Sequence, residues 1–205
     1  AWTATDIVSI TYSLNGGEAV ELTNGAELTA EGSYTVTATN DLGTVNIKTF
    51  VIDRTLDYKV LINDAESLGV DTTNKNVTVI NNEPLYVSAS KNGAPYEFEF
   101  GQVITDEGIY IFLISDDYTN SISFTIVIDK SVEIEANIGN GVITNEDVVI
   151  SAGEKVNLIA TKDGVEYSYK LGTAITEEGL YKFIVYDLFG NEKTLTFQIV
   201  KGTKT

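Results

Sequence analysis

The chain has 205 residues, of which 43% are hydrophobic, and it contains 11 tyrosines, 8 phenylalanines and 17 glycines, a composition that excludes a disordered chain. Its formal charge of −17 excludes binding to nucleic acid or to anionic membranes, which require a basic surface, and favours cations as partners. Cysteine and histidine are absent, so disulfides, zinc–thiolate sites and the most common general base are also excluded.

A short motif recurs three times along the chain at nearly equal intervals. It reads Glu31-Gly32-Ser33-Tyr34, then Asp106-Glu107-Gly108-Ile109-Tyr110, then Glu177-Glu178-Gly179-Leu180-Tyr181. Each copy precedes an alternating strand, a turn rich in Asn and Asp, and a second strand. A repeat of this length predicts a string of similar small domains, here 1–53, 54–129 and 130–205.

The first repeat, 1–53, is expected to lack its opening strands. Only 14 residues precede its Asn15-Gly16 turn, whereas the matching Asn92-Gly93 turn of the second repeat follows more than 30. One explanation is that the chain, which also lacks methionine, is a processed product or a piece that begins part-way through a domain. The alternative is that a strand from another chain fills the gap.

The second repeat, 54–129, shows the clearest strand pattern. Alternating β-branched and aromatic residues predict strands over 58–62, 76–80, 84–91, 95–100, 109–115 and 121–128, with a short extra piece near 69–71. The stretch 64–68 is the one candidate for a single helical turn. The third repeat, 130–205, follows the same order, and its Asp163-Gly164 pair marks the corresponding hairpin turn. The chain is therefore predicted to be all-β.

The recurring motif resembles the tyrosine corner of immunoglobulin-like sandwiches. In that corner the tyrosine hydroxyl folds back onto nearby backbone while its ring fills the edge of the core, and a glycine permits the sharp turn. The positions that match are Gly32 and Tyr34, then Asp106, Gly108 and Tyr110, then Gly179 and Tyr181.

A longer ordered set of motifs resembles the tandem immunoglobulin-like repeats of Gram-positive surface proteins, such as surface-layer proteins and large adhesins. In the third repeat the set is Thr144-Asn145-Glu146-Asp147-Val148, Ile175-Thr176-Glu177-Glu178-Gly179-Leu180-Tyr181, Asp187-Leu188-Phe189-Gly190-Asn191 and Phe197-Gln198-Ile199-Val200. The resemblance implies tandem immunoglobulin-like sandwiches in an elongated rod. The third repeat departs from the pattern because it ends in Val200-Lys201, where the others have Ile52-Asp53 and Ile128-Asp129.

Acidic residues gather where one predicted domain meets the next. Asp53 and Asp57 flank the first junction, and Asp129 and Glu133 flank the second. Calcium is bound by six to eight oxygen atoms, largely from carboxylates and carbonyls, so these four residues are candidate calcium ligands that would stiffen the rod. The alternative is that they are solvated strand ends in an acidic protein.

Two candidate ligand contacts involve aromatic residues. Tyr118 lies in a turn rich in Asp and Asn, where a glycan or protein ligand could reach it, although such turns usually cap their own backbone. Trp2 could stack on sugars.

No carboxylate pair stands out as catalytic. The predicted function is therefore a non-catalytic spacer on the bacterial cell surface, with neighbouring modules as partners, no inserted membrane segment and no cofactor except possible calcium; the alternative is an adhesin or carbohydrate-binding module.

Overall fold

A computed structural model describes residues 7–67, 69 and 72–202 of the chain. The first repeat contains the strands β1 (Ile7–Leu14), β2 (Val20–Glu21), β3 (Gly32–Asn40) and β4 (Val45–Ile52). The second contains β5 (Tyr58–Ile62), β6 (Ala65–Glu66), β7 (Thr72–Thr73), β8 (Val77–Asn81), β9 (Tyr86–Lys91), β10 (Ala94–Tyr96), β11 (Val103–Ile104), β12 (Gly108–Ser115) and β13 (Ser121–Ile128). The third contains β14 (Ile134–Ala136), β15 (Val142–Thr144), β16 (Val148–Ala152), β17 (Asn157–Lys162), β18 (Val165–Glu166), β19 (Ala174–Ile175), β20 (Gly179–Tyr186) and β21 (Glu192–Ile199).

The long strands alternate between buried and exposed side chains, as the period of two predicts. Along β12, Tyr110, Phe112 and Ile114 are fully buried, while the residues between them point outward. The described ranges contain no helix, and hence none that is long and apolar enough to cross a membrane.

The second and third repeats are each two-sheet sandwiches. In the third repeat the sheets have the orders β15-β21-β20-β17-β18 and β14-β16-β19, and in the second they have the orders β10-β9-β12-β13-β7 and β11-β8-β5-β6. In both repeats a short early strand pairs in parallel with the last strand: β7 with β13 and β15 with β21. The prediction of an all-β chain built from tandem immunoglobulin-like sandwiches is thus confirmed.

The core of the third repeat lies between its two sheets. Val148 and Ile150 of β16 and Ile175 of β19 face Phe183 and Phe197 from the larger sheet, and each of the five is at most 1% exposed. Two of the aromatic rings, Phe183 and Phe197, stack at a centroid distance of 5.9 Å. Burying side chains of this size is the main source of stability for a small sandwich.

The first repeat has one sheet, with the order β2-β1-β3-β4, within the described part of the chain. Its strands pair in the same register as those of the third repeat, because Tyr34 lies opposite Phe50 as Tyr181 lies opposite Phe197. Phe50 is 41% exposed, whereas Phe197 is 1% exposed. The difference reflects the second sheet, which covers Phe197 and has no counterpart over Phe50 in the described ranges.

The chain divides into two compact units rather than into one unit for each repeat. The first unit contains the first repeat together with 54–57, 82–86 and 114–122 of the second, and the second unit contains the remainder of the second repeat and all of the third. The bounds 1–53, 54–129 and 130–205 therefore remain a prediction from the repeat motif.

Several details of the strands differ from the sequence prediction. Strands β11 and β19 were not predicted, because each has two residues and no alternation can appear over that length. The predicted strand 95–100 ends at Tyr96. In the stretch 64–68, Ala65 and Glu66 form β6, a hairpin partner of β5, instead of a helical turn. Leu68 lies outside the described residues, as does Trp2.

Candidate functional site

The three tyrosine corners have the same geometry. The hydroxyl of Tyr34 donates to the carbonyl oxygen of Ala30 at 2.9 Å, and the hydroxyls of Tyr110 and Tyr181 each donate to the carbonyl oxygen four residues earlier at 3.0 Å. All three rings are at most 2% exposed. Each tyrosine therefore fixes the approach to its strand by a backbone contact while its ring fills the core.

The corner glycine makes room for the preceding hairpin turn. In the third repeat, Gly179 has a φ of +151°, and a Cβ built there would lie 2.8 Å from the Lys162 side chain and 3.1 Å from Asp163. The turn residue Asp163 accepts a hydrogen bond from the amide of Leu180 at 2.8 Å through its side chain. Asn15 and Asn92 accept the equivalent hydrogen bonds in the other repeats. The Asn-Gly turn and the glycine corner, separate in sequence, thus form one structural unit.

A lysine covers the corner tyrosine in the second and third repeats. The Lys162 ammonium lies 2.5 Å from the Glu177 carboxylate and 5.9 Å from the centre of the Tyr181 ring, and the Lys91 ammonium lies 5.4 Å from the Tyr110 ring. The hydrogen bond from Lys162, together with its charge, lowers the pKa of Glu177. Such a contact combines an ion pair with a cation–π interaction.

A second repeated feature, which we call the exit clasp, anchors the chain as it leaves each repeat. The corner glutamates Glu31, Glu107 and Glu178 accept a hydrogen bond from the backbone amide of the basic residue that follows the last strand, respectively Arg54, Lys130 and Lys201. Glu31 and Glu107 also accept a hydroxyl hydrogen bond from the next residue, Thr55 or Ser131. The clasp is absent from the sequence predictions above, although the repeated Glu-Gly and the basic residue after each last strand are a signal for it.

The predicted calcium ligands of the first junction are engaged by the backbone and side chains around them. The Asp53 carboxylate accepts a hydrogen bond from the Thr55 amide at 3.3 Å. The Asp57 carboxylate accepts one from the Asn82 side chain at 2.8 Å. The structure does not place Asp53 and Asp57 in a common cluster of acidic groups among the residues it describes.

At the second junction, Asp129 belongs to a cluster of three carboxylates. Oxygen atoms of Asp129, Glu154 and Asp187 all lie within 4.8 Å of one another. The fourth predicted ligand, Glu133, is outside this cluster, and its backbone amide donates to Glu154 at 2.7 Å. The Asn191 side-chain nitrogen donates to Asp187 at 2.6 Å and to the Asp129 carboxylate at 3.3 Å, so a neutral donor already bridges two of the acids.

The cluster places negative charges close together with limited access to water. Burial raises the pKa of Asp129, and the charges of Glu154, Asp187 and Glu107 add to the rise, against the lowering effect of the Ser131 amide. Three oxygen ligands supply about half of a calcium coordination sphere. Calcium binding here remains a prediction, with Glu154 and Asp187 replacing Glu133 as the partners of Asp129. Because Asp129, Glu154 and Asp187 are far apart in sequence, no local pattern predicts that their carboxylates lie together.

Tyr118 is 47% exposed at a turn that caps its own backbone. The Asp116 carboxylate accepts hydrogen bonds from the amides of Tyr118 at 2.8 Å and Asn120 at 2.9 Å. Burial opposes ionisation of Asp116, but the hydrogen bonds from Asn120 and Tyr118 prevail and lower its pKa. The Tyr86 hydroxyl, on a side chain that is 61% exposed, donates to Asp117 at 2.9 Å. We call Tyr86, Asp117 and Tyr118 the aromatic loop patch; of its two tyrosines, only Tyr118 is predicted from the sequence as a ligand contact.

No protein-family model matches the chain. No curated protein matches its sequence.

Among solved structures, a titin fragment of three immunoglobulin domains covers 95% of this chain and 88% of its own, with 10% identity and a TM-score of 0.30. The N-terminal eight immunoglobulin domains of Down syndrome cell adhesion molecule cover 93% of this chain and 32% of their own, with 14% identity and a TM-score of 0.36. A Bacteroides ovatus protein of a mixed-linkage glucan utilization locus, in complex with a heptasaccharide, covers 97% and 62%, with 14% identity and a TM-score of 0.24. At these scores the assignment of the fold rests on the strand pairing described above.

Proposed function

We propose that the chain is a non-catalytic, load-bearing segment of an extracellular bacterial surface protein, such as a surface layer or stalk of a Gram-positive cell. The observation that carries the proposal is the parallel pairing of an early strand with the last strand in both complete sandwiches. In the third repeat Val142 lies opposite Phe197, and Thr144 lies opposite Ile199. In the second repeat Thr72 lies opposite Val127.

Parallel pairing matters because it determines how a sandwich resists tension. A force along the chain loads β14 first, then reaches β15, and leaves the third repeat at the end of β21. Because β15 and β21 run in the same direction side by side, pulling their outer ends apart slides one along the other. All the hydrogen bonds of the pair are then loaded together, in shear, instead of breaking one after another. The core beneath Phe197 resists the same movement.

The exit clasps support a mechanical role for a second reason. A linker that hydrogen-bonds to its own repeat cannot swing freely, since its first residue is held by a corner glutamate. Glu107, for example, accepts a hydrogen bond from the Lys130 amide at 2.5 Å and one from the Ser131 hydroxyl at 3.1 Å. Short restrained linkers limit hinge motion between modules. Neighbouring modules of the same protein are accordingly the proposed partners, and the rod shape remains a prediction that solution scattering can measure.

Single-molecule force spectroscopy tests the proposal. The variant Thr144→Pro removes an amide donor from β15 at a residue whose carbonyl accepts a hydrogen bond from the Val200 amide of the parallel pair. The control Val165→Pro makes the same change in β18, which is outside the parallel pair. We expect the unfolding force of the third repeat to fall in Thr144→Pro and to stay near its original value in Val165→Pro. Equal losses of force in the two variants would remove the support for a load-bearing role.

A second candidate function is ligand binding by the aromatic loop patch. The patch exposes two tyrosine side chains, whose rings can stack on sugars, and its Asp117 carboxylate accepts a hydrogen bond from the Tyr86 hydroxyl. A glycan-array hit that Tyr118→Ala abolishes and Leu42→Ala preserves would favour this function. Leu42 is a suitable control because it occupies the corresponding turn of the first repeat and is 85% exposed. An array with no hits favours the load-bearing role.

A further inference from the structure

Strand β4 leaves both an edge and an apolar face of the first repeat's sheet uncovered. It is the last strand of the order β2-β1-β3-β4, and seven of its eight residues are exposed. The Phe50 ring stacks on Tyr34 at 5.2 Å, almost the 5.1 Å that separates Phe197 from Tyr181. The first repeat therefore forms the same aromatic pair as the third but leaves one ring 41% exposed.

The other two repeats show which kind of segment completes this edge. In the third repeat, β15 pairs in parallel with β21, and its residues 142–144 lie opposite residues 197–199. The equivalents of 197–199 in the first repeat are Phe50, Val51 and Ile52. The Gly141 amide also donates to the Thr196 carbonyl at 2.7 Å, and Thr49 is the equivalent of Thr196. The following strand β16 covers the aromatic pair from above with Val148 and Ile150.

A basic residue at the end of β4 adds charge complementarity. In the third repeat the Lys201 ammonium lies 2.7 Å from Asp147, the residue just before β16. In the second repeat the Lys130 ammonium binds the equivalent Asn76 at 2.7 Å and also the Thr105 carbonyl. Arg54 of the first repeat makes the corresponding contact with the Thr29 carbonyl. Its partner before an equivalent of β16 is missing from the described residues.

The edge also limits how long an incoming strand can be. Lys48 faces inward at the position where the third repeat has Leu195, and an inward charge on an edge strand opposes further pairing. The stretch open to an added strand is therefore Phe50 to Ile52, three residues. This is the length of β15, and β7 has two residues.

We infer that this edge and face of the first repeat form an acceptor site for a strand segment that lies outside residues 7–202 of this chain. The donated segment pairs in parallel with Phe50–Ile52, carries two apolar residues followed by Thr, and places an Asp three residues later against Arg54. Residues 140–152 of the third repeat have this chemistry, and they serve as the template for the partner. The inference stands independently of the load-bearing function.

The test uses the 205-residue chain and a synthetic peptide of residues 140–152. Calorimetry measures binding, and hydrogen–deuterium exchange measures the protection of β4 amides. We expect the peptide to bind and to slow exchange in β4. Arg54→Glu should weaken binding by about 5-fold, the effect of losing one exposed ion pair, and an Asp147→Lys peptide should restore it. Ile47→Thr, on the opposite face of β4 and 58% exposed, should leave binding unchanged.

Three results would overturn the inference. The first is slow exchange in β4 without peptide, which would mean that another part of the chain already covers the edge. The second is equal binding of a scrambled peptide, which would reduce the site to a non-specific apolar patch. The third is protection that rises with protein concentration in the absence of peptide, since the occupant would then be a second copy of the chain.

Discussion

The corner tyrosines are the feature whose contribution is easiest to isolate, because Tyr→Phe removes the hydroxyl and leaves the ring. In Tyr181→Phe the Glu177 carbonyl loses a hydrogen bond of 3.0 Å, while the contacts of the ring with Phe197 remain. No cavity forms, so the change in the free energy of unfolding reports the hydrogen bond alone.

The expected magnitude follows from the surroundings of the two groups. A net intramolecular hydrogen bond contributes about 1 kcal/mol, and an acceptor left unsatisfied adds to the loss. The Tyr181 ring is fully buried but Glu177 is exposed, so water can replace the lost donor in part. We therefore expect Tyr181→Phe to reduce the free energy of unfolding by about 1–2 kcal/mol. For a domain of this size, each 1 kcal/mol corresponds to a fall in Tm of about 4–8 °C.

Chemical denaturation followed by far-ultraviolet circular dichroism measures this loss of stability, with Tyr118→Phe as the matched control. The Tyr118 side chain is half-exposed, and its substitution should change stability by less than about 0.5 kcal/mol. Tyr110→Phe should behave as Tyr181→Phe does. If Tyr181→Phe and Tyr118→Phe have the same stability, the corner hydrogen bond does not stabilise the fold and the reasoning fails.

Three further predictions test the core, the acidic cluster and the lysine contact. Phe197→Ala should reduce the free energy of unfolding by about 3–5 kcal/mol. Phe50→Ala should reduce it by about half as much, because Phe50 is 41% exposed. Equal losses of stability, measured by chemical denaturation, would show that Phe50 is covered. If calcium binds at Asp129, calcium at a hundredfold excess over its Kd should stabilise the chain by about 2.7 kcal/mol in thermal melting, and Asp129→Asn should abolish the gain; no shift at millimolar calcium excludes the site. The contact with Lys162 lowers the folded-state pKa of Glu177, so it stabilises the fold at pH values above the ordinary pKa near 4.5. This stabilisation is lost as the pH falls through the lower folded-state pKa. Lys162→Gln should therefore flatten the pH dependence of the free energy of unfolding in that range.

The features that the sequence predicts well are those written in short local patterns. The alternation in 108–115 and the repeated Gly-x-Tyr corner predict the long strands and their fold, since both signals lie within a few residues. That the first repeat lacks its opening strands remains a prediction from the position of Asn15.

The features that the sequence does not reveal depend on contacts between distant segments. Asp129 and Asp187 meet only because the third repeat's last turn lies against the end of β13, and no local pattern encodes that contact. Strands β11 and β19 escape prediction for a different reason. Their two residues become strand by pairing with β8 and β16, not by their own propensity.

The exit clasp bears on how the similar strands of adjacent repeats avoid pairing with each other while the chain is being synthesised. Glu107 can receive the Lys130 amide only after β12 and β13 have come together, so the linker is ordered only once its own repeat has paired these strands. All the groups of a clasp lie in one repeat and the residues that follow it, so the clasp needs no strand of the next repeat in order to form. A repeat that closes on its own in this way leaves its strands unavailable for domain swapping with the similar strands of adjacent repeats, which is the characteristic misfolding of repeat proteins.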